Sequence, residues 1–328
     1  MQLLVDGDPT SLSYWLNWRV LLCAVWVLTS MIVAILLIWK YERSEDLESD
    51  GETSRIPRYD DLWKPCVKEI HPIFMMAFRI IAFCLLLVAL IIDVSVHGFE
   101  LFLYYTQWTF TLATIYFGLG SLISMHGCYH YLQRNSTKYH LPTDVEHGLD
   151  VPLAHGKNGN GIRLSGISSY LGKSHDLPNH RFWGFLFQVL YQMTAGAVTI
   201  TDVVYWGVIF PFMTLRDYEM NLLTVVTHSL NAIFLLGDTA LNRLPFPAFR
   251  ISYFILLTGV YVIFQWVFHA CVSTWWPYPF LDLSLPYSPL WYLIVALMHL
   301  PCYAFYMLIV KVKQMALSRW CSDSLWVE

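Results

Sequence analysis

The residues best suited to chemistry in this sequence lie inside long apolar stretches. His228, Asn231, Asp238 and Asn242 follow one another at intervals of three, seven and four residues. In a helix of 3.6 residues per turn, these intervals place the four side chains on one stripe, while Leu, Val, Ile and Phe occupy the other faces. Polar groups at membrane depth are costly unless they face other helices or water. The stripe therefore predicts a buried polar network.

A second group of polar residues is the run of hydroxyls in residues 106–114, which read Thr-Gln-Trp-Thr-Phe-Thr-Leu-Ala-Thr. Thr111 and His228 are both expected roughly 12–15 Å below the same bilayer surface, given the helical rise per residue. A neutral imidazole can accept the proton of a neighbouring hydroxyl and so activate it as a nucleophile. The alternative is structural, because Thr in a membrane helix usually donates to its own backbone.

Three more ionisable residues, Asp202, His269 and His299, are expected in the same half of the membrane or close to its middle. A common depth permits a shared cavity, and buried ionisable groups in membranes often mark functional sites. The structural alternative is that these groups satisfy one another and hold the helices together. We expect them to form a supporting polar network around Thr111 and His228.

No metal or cofactor site is expected. His126 and His130 lie four residues apart, a spacing that suits a metal or haem, but no second His pair is predicted at the same depth. The seven cysteines occur singly, without a CxxC pair or a cluster with metal-ligand spacing. A disulfide framework and a zinc site are therefore both disfavoured.

The composition identifies what positions these residues. Hydrophobic residues make up 56% of the 328 residues, charged residues 13% and aromatic residues 16%, with a mean hydropathy of +0.48. These values are typical of an integral membrane protein. A net charge of -4 and a pI near 6.3 disfavour a dedicated nucleic-acid binder. We expect membrane lipids as partners, in the plasma membrane or an endomembrane.

Seven apolar segments are long enough to cross a bilayer as helices. They are residues 20–39, 73–94, 101–125, 182–210, 220–241, 251–271 and 289–310. The sequence therefore predicts an all-α fold, a seven-helix transmembrane bundle.

The Lys and Arg residues predict the orientation of this bundle, because retained cytoplasmic loops accumulate them. Six lie in residues 40–72, six in 134–181, two in 242–250 and three after residue 310, so that seventeen fall on one side. The other side has two, and Arg79 lies inside the second segment. The N-terminus is therefore expected outside and the C-terminus in the cytoplasm.

This topology divides the chain into an outside tail, a first helix, a cytoplasmic loop, a six-helix core with an internal cytoplasmic loop, and a cytoplasmic tail. In order, these parts are residues 1–19, 20–39, 40–72, 73–313 with the loop 134–181, and 314–328. Both cytoplasmic loops are polar, and a glycine-rich stretch lies at residues 155–161. We expect them to be solvated loops rather than domains.

Three motifs resemble those of known membrane protein families. Residues 228–238 begin with His, have Asn at the third position after it and end in Asp, as in the fifth-helix signature of rolling-stone-like membrane proteins. Residues 276–282, Trp-Pro-Tyr-Pro-Phe-Leu-Asp, are similar to a motif that this group shares with the androgen-induced membrane hydrolases. Trp108 followed by Thr111 is similar to a motif of the latter family. The resemblance covers residues 73–310 and is greatest to plant members.

The resemblance implies a six-helix core that hydrolyses lipid esters, of the type in which a fatty acid esterifies a hydroxy fatty acid. Thr111 would then be the nucleophile and His228 the base, with Asn231 or Asp238 orienting the imidazole. Thr111 lies three residues after Trp108 rather than four, so Thr109 or Thr114 could replace it. The rolling-stone relatives imply instead a non-enzymatic scaffold, lipid sensor or fusion-related protein.

Overall fold

The structure, a computed structural model, describes residues 12–48, 58–139, 180–214, 222–272 and 275–320. Most of the predicted outside tail, most of the loop 134–181 with its glycine-rich stretch, and the end of the cytoplasmic tail lie outside these residues. Every element of the described part is helical. The predicted all-α class is therefore confirmed.

The described part contains ten α-helices, numbered in chain order. They are α1 (Leu12–Trp15), α2 (Trp18–Glu48), α3 (Tyr59–Trp63), α4 (Pro72–His97), α5 (Tyr105–Tyr139), α6 (His180–Val204), α7 (Leu222–Thr227), α8 (Leu230–Leu241), α9 (Ile251–Cys271) and α10 (Ser288–Trp320). A π-helical segment, Tyr205–Thr214, continues α6, and short 3₁₀ turns occur at Phe99–Leu103, Ala248–Arg250 and Pro279–Leu281.

Six helices of the described part are long and apolar enough to cross a membrane, as is typical of a multi-pass membrane protein. Their spans are Trp18–Arg43, Pro72–His97, Tyr105–Gln133, Arg181–Pro211, Ala248–Cys271 and Ser288–Arg319. The predicted segment 220–241 differs, because the apolar helical stretch found there, Val225–Leu241, is shorter. The backbone leaves the helical region at Ser229, with φ -135° and ψ -38°, which divides the segment into α7 and α8.

The ends of α4 show how local sequence sets helix boundaries. Pro72 occupies the first turn, where its missing N–H is not needed, and the side chain of His71 accepts a hydrogen bond from the Ile73 amide at 3.3 Å. At the other end, Gly98 adopts a φ of 72°, a left-handed value that side chains rarely tolerate. The apolar run between them forms one uninterrupted helix.

The bundle is organised around α5, which has the largest buried share of the six spans. It packs against α4 and α6, and small residues allow the close approach. Gly118 faces the ring of Phe83, and Gly120 faces Phe187 and the aliphatic part of Arg79. By contrast, α2 is mostly exposed and packs mainly against α9 and α10.

Side-chain contacts near the ends of the helices define two ends of the bundle. At the first, called the Arg19 end, the guanidinium of Arg19 donates to the carbonyl oxygen of Ser284 at 2.8 Å. At the other, called the Glu42 end, Arg250 pairs with Glu42 at 3.0 Å and Arg243 pairs with Asp61 at 3.1 Å. The segments 40–72 and 242–250 therefore lie at the same end of the bundle. The distribution of Lys and Arg also assigns these two segments to one side of the membrane.

The predicted loop 40–72 is not solvated throughout, which corrects the sequence-based expectation. The helix α2 continues to Glu48, and α3 buries Leu62 and Trp63 against the bundle. The indole of Trp63 fits beside Gly127 of α5, where a side chain would leave no room. Burial of this apolar pair stabilises α3 in a stretch that is otherwise rich in charged residues.

Candidate functional site

A cavity of about 80 Å³ lies among α5, α6, α9 and α10, at the break between α7 and α8. Its lining is mainly apolar and includes Ile200, Val204, Ile209, Val262, Leu281 and Val295. The lining residues that carry polar groups are Tyr105, Thr106, Thr201, Tyr205, His228, Thr258, Tyr261 and Tyr278. An apolar cavity with a few polar groups is the usual form of a small-molecule site. It is called the His228 cavity below.

His228 lies at the helix break and is held from two sides. Its ring stacks on Tyr205 with a centroid distance of 3.7 Å and an interplanar angle of 5°. Its carbonyl oxygen, freed by the break, accepts a hydrogen bond from the indole N–H of Trp206 at 3.0 Å. The interrupted helix therefore fixes the imidazole orientation without using either ring nitrogen.

Asp202 is the acidic partner of this imidazole. Its Oδ1 lies 3.8 Å from Nδ1 of His228, too far for a hydrogen bond but close enough for a strong electrostatic interaction in a buried site. Both carboxylate oxygens are buried and have no hydrogen-bond partner within the described part of the chain. The carboxylate therefore faces the imidazole and can stabilise positive charge that develops on the ring.

The three candidate threonines of α5 differ in what their hydroxyls contact. Thr109 donates to the Thr106 carbonyl oxygen at 2.8 Å, and Thr114 donates to that of Phe110 at 2.9 Å. The hydroxyl of Thr111 is buried and has no hydrogen-bond partner among the described residues. Thr111 does not line the His228 cavity, and its hydroxyl makes no hydrogen bond to His228 in the described ranges.

Asp238 does not orient the imidazole, contrary to one sequence-based expectation. Its carboxylate instead pairs with Arg79, with a distance of 2.7 Å between Nε and Oδ1. Tyr116 and Asn242 also donate to it. The ten-residue interval between His228 and Asp238, together with the helix break, places the two side chains at different depths.

Asn231 also makes no hydrogen bond to the imidazole in the described structure, and its Oδ1 instead accepts from the Ala232 amide at 2.8 Å. Its Nδ2 is buried without a partner in the described part of the chain. The whole side chain is buried at the start of α8. The predicted stripe is therefore buried, but its members contact different groups.

His299 and His269 occupy two other environments. Nε2 of His299 lies 2.8 Å from the Thr258 hydroxyl, and His299 lines a second cavity, of about 70 Å³, between α2, α9 and α10. Thr258 lines both cavities. His269 stacks on Trp276 with a centroid distance of 3.9 Å, at the Arg19 end. Of the expected network, Asp202 is the member that pairs with His228.

The segment 276–282 closes the His228 cavity at the Arg19 end. Tyr278 and Phe280 line the cavity, and the hydroxyl of Tyr278 lies 3.5 Å from that of Thr106. The motif at residues 228–238 contributes His228 to the same wall, although residues 239–275 separate the two motifs in the sequence. The fold therefore brings the two motifs to one place.

Sequence reasoning missed three contributors to this region: Arg79, Tyr205 and Thr258. The ion pair of Arg79 could have been predicted from the sequence, because a single arginine inside an apolar segment needs a buried partner. The roles of Tyr205 and Thr258 could not have been predicted, since an aromatic residue and a lone Thr are common in membrane helices. Among the described residues, no group of three or more His, Cys, Asp or Glu is placed to hold a metal ion.

Comparisons with protein-family models, curated proteins and solved structures find no match. The resemblance to rolling-stone-like proteins and androgen-induced membrane hydrolases therefore rests on the sequence motifs alone.

Proposed function

We propose that this chain is a membrane hydrolase that cleaves lipid esters at the His228 cavity. The observation that carries the proposal is the Asp202–His228 pair, with 3.8 Å between Oδ1 and Nδ1, in the wall of a mainly apolar cavity. A carboxylate beside Nδ1 stabilises the imidazolium that forms when Nε2 takes a proton. The apolar walls suit an acyl chain.

In this mechanism, Nε2 of His228 removes the proton of a hydroxyl nucleophile, whose oxygen attacks the ester carbonyl carbon. The proton then passes to the departing alkoxide, which leaves as an alcohol. Water hydrolyses the acyl-enzyme in a second step with the same base, and releases the fatty acid. Asp202 remains a carboxylate throughout and only positions and stabilises the imidazole.

Thr111 is the proposed nucleophile. Among Thr109, Thr111 and Thr114, it alone does not donate its hydroxyl to a backbone carbonyl in the described structure. Because Thr111 does not line the cavity, a water molecule activated directly by His228 is the alternative nucleophile. The two alternatives differ in whether a covalent acyl-enzyme forms.

The proposed topology has seven crossings, with the N-terminus outside and the C-terminus in the cytoplasm. The helices α7 and α8 together form the fifth crossing. The shared Glu42 end of segments 40–72 and 242–250 supports this arrangement. The His228 cavity then lies in the outer half of the membrane.

Labelling with a lipid-like fluorophosphonate tests the mechanism on the purified protein. Labelling that requires both Thr111 and His228 supports a threonine nucleophile. Hydrolysis of a lipid ester that needs His228 but leaves Thr111 unlabelled supports the water route. The absence of both labelling and hydrolysis across a panel of lipid esters would contradict the hydrolase proposal.

A non-enzymatic scaffold or lipid sensor is the second candidate function. The observation that favours it is that Thr111 does not reach the cavity wall that holds His228, while Asp238 is bound to Arg79. The buried polar groups would then hold the helices together and shape a lipid site. Lipid binding at the His228 cavity without turnover is the result that distinguishes this function.

A further inference from the structure

Tyr105, Thr258 and His299 form a hydrogen-bond chain at the edge of the His228 cavity. The hydroxyls of Tyr105 and Thr258 are 2.7 Å apart, and the Thr258 hydroxyl is 2.8 Å from Nε2 of His299. Nδ1 of His299 lies 2.8 Å from the carbonyl oxygen of Val295. Since a carbonyl oxygen only accepts, Nδ1 carries a proton and donates it.

The environment of His299 fixes the direction of the rest of the chain. The side chain is 3% exposed, and no carboxylate contacts it in the described part of the structure. An unpaired imidazolium in such a place is costly, so the ring is neutral and Nε2 accepts. Thr258 therefore donates its single proton to Nε2, and Tyr105 donates its proton to Thr258.

A competing acceptor for the Thr258 proton is the carbonyl oxygen of Phe254, one turn back in α9, at 3.3 Å. This distance is longer than the 2.8 Å to Nε2 of His299, and donation to Phe254 would leave the buried Nε2 without a proton to accept. The bond to His299 is therefore favoured.

Tyr105 lines the cavity, and its phenolic oxygen, which has given its proton to Thr258, retains only lone pairs. Thr201, which also lines the cavity, donates its proton to the Ala197 carbonyl oxygen at 2.8 Å. Its oxygen likewise remains an acceptor. These two polar groups in the wall can therefore accept a hydrogen bond from a ligand but cannot donate one.

We infer that the His228 cavity selects lipids that carry a free hydroxyl, with Tyr105 as the residue that accepts its proton. An ether or ester oxygen at the same position would place lone pairs against lone pairs, and it would leave a buried acceptor unsatisfied. The inference rests on the proposed function only in taking this cavity as the lipid site. It does not require hydrolysis.

A matched pair of photoreactive probes tests this selectivity on the purified full-length protein in detergent. One is a diazirine-bearing hexadecanol, and the other is its methyl ether, which lacks the hydroxyl donor. We expect the alcohol to label about tenfold more at equal concentration. Labelled peptides should include residues of the cavity wall such as Met298. Equal labelling by the two probes overturns the inference.

Three variants test the direction of the chain. Tyr105→Phe removes the acceptor and should lower the alcohol preference several-fold. Thr258→Val removes the group that receives the Tyr105 proton, so Tyr105 becomes a donor and labelling by the ether should rise. Thr258→Ser retains the hydroxyl and should behave as wild type. An unchanged preference in both Tyr105→Phe and Thr258→Val contradicts the assignment.

The test separates this inference from the proposed function, because neither probe contains an ester. Selective labelling by the alcohol without hydrolysis of any lipid ester supports the inference and contradicts the hydrolase. Hydrolysis of a lipid ester together with equal labelling by the alcohol and the ether supports the hydrolase and contradicts the inference. If a variant fails to fold, competition of the two unmodified lipids for the labelled wild-type site still decides the question.

Discussion

Arg79 and Asp238 form an ion pair in the interior of the bundle, with 2.7 Å between Nε and Oδ1 and neither side chain exposed. The pair joins α4 to α8. Arg79 also donates to the Leu62 carbonyl oxygen at 2.7 Å and to the Ser124 hydroxyl at 3.0 Å. These bonds satisfy a guanidinium that would otherwise be very costly at this depth.

Asp238→Ala should destabilise the protein by about 3–5 kcal/mol, because it leaves the Arg79 charge buried without its partner. Thermal unfolding in detergent measures the change. Asp60→Ala is the matched control, since its carboxylate is 53% exposed in an ion pair with Lys64 and its loss should cost under about 1 kcal/mol. Similar melting temperatures for the two variants would show that the buried pair does not stabilise the fold.

His228→Ala should lower lipid ester hydrolysis by about 10²–10⁴-fold with the fold intact, because the general base is lost. Asp202→Asn should reduce it less, since the imidazole remains but its charged form is no longer stabilised. His130→Ala is the control, because this histidine is exposed and lies outside the cavity. Full activity in His228→Ala would exclude the proposed mechanism.

Tags placed at the two ends of the chain should lie on opposite sides of the membrane. The seventeen Lys and Arg residues on one predicted side motivate this expectation. In sealed membrane vesicles of one orientation, an added protease should remove one tag and leave the other until detergent is added. Removal of both tags, or of neither, before detergent would mean that the number of crossings is even.

Gly127→Ala should destabilise the protein by about 1–3 kcal/mol, because an added Cβ would overlap the Trp63 ring. Gly207→Ala is the control, since a Cβ there meets nothing within 4 Å. The difference in melting temperature between the two variants measures the packing of α3 on α5. No difference would mean that Trp63 moves aside at little cost.

The sequence alone determined the membrane class and the positions of the long helices. Long, largely apolar segments such as residues 73–94 can satisfy their backbone polar groups in a membrane only as helices, so composition is sufficient there. The same reasoning predicted one membrane-spanning helix over residues 220–241. It overestimated the length of that helix, because hydropathy does not report the backbone break at Ser229. It also missed α3, whose two buried apolar residues lie within a charged stretch.

Only the tertiary structure decided which polar groups meet. Periodicity placed His228 and Asp238 on one stripe, but the fold pairs His228 with Asp202 and Asp238 with Arg79. Spacing along one helix gives the angles between its own side chains. It does not give the rotation or the depth of the neighbouring helices, which follow from packing of all the helices together.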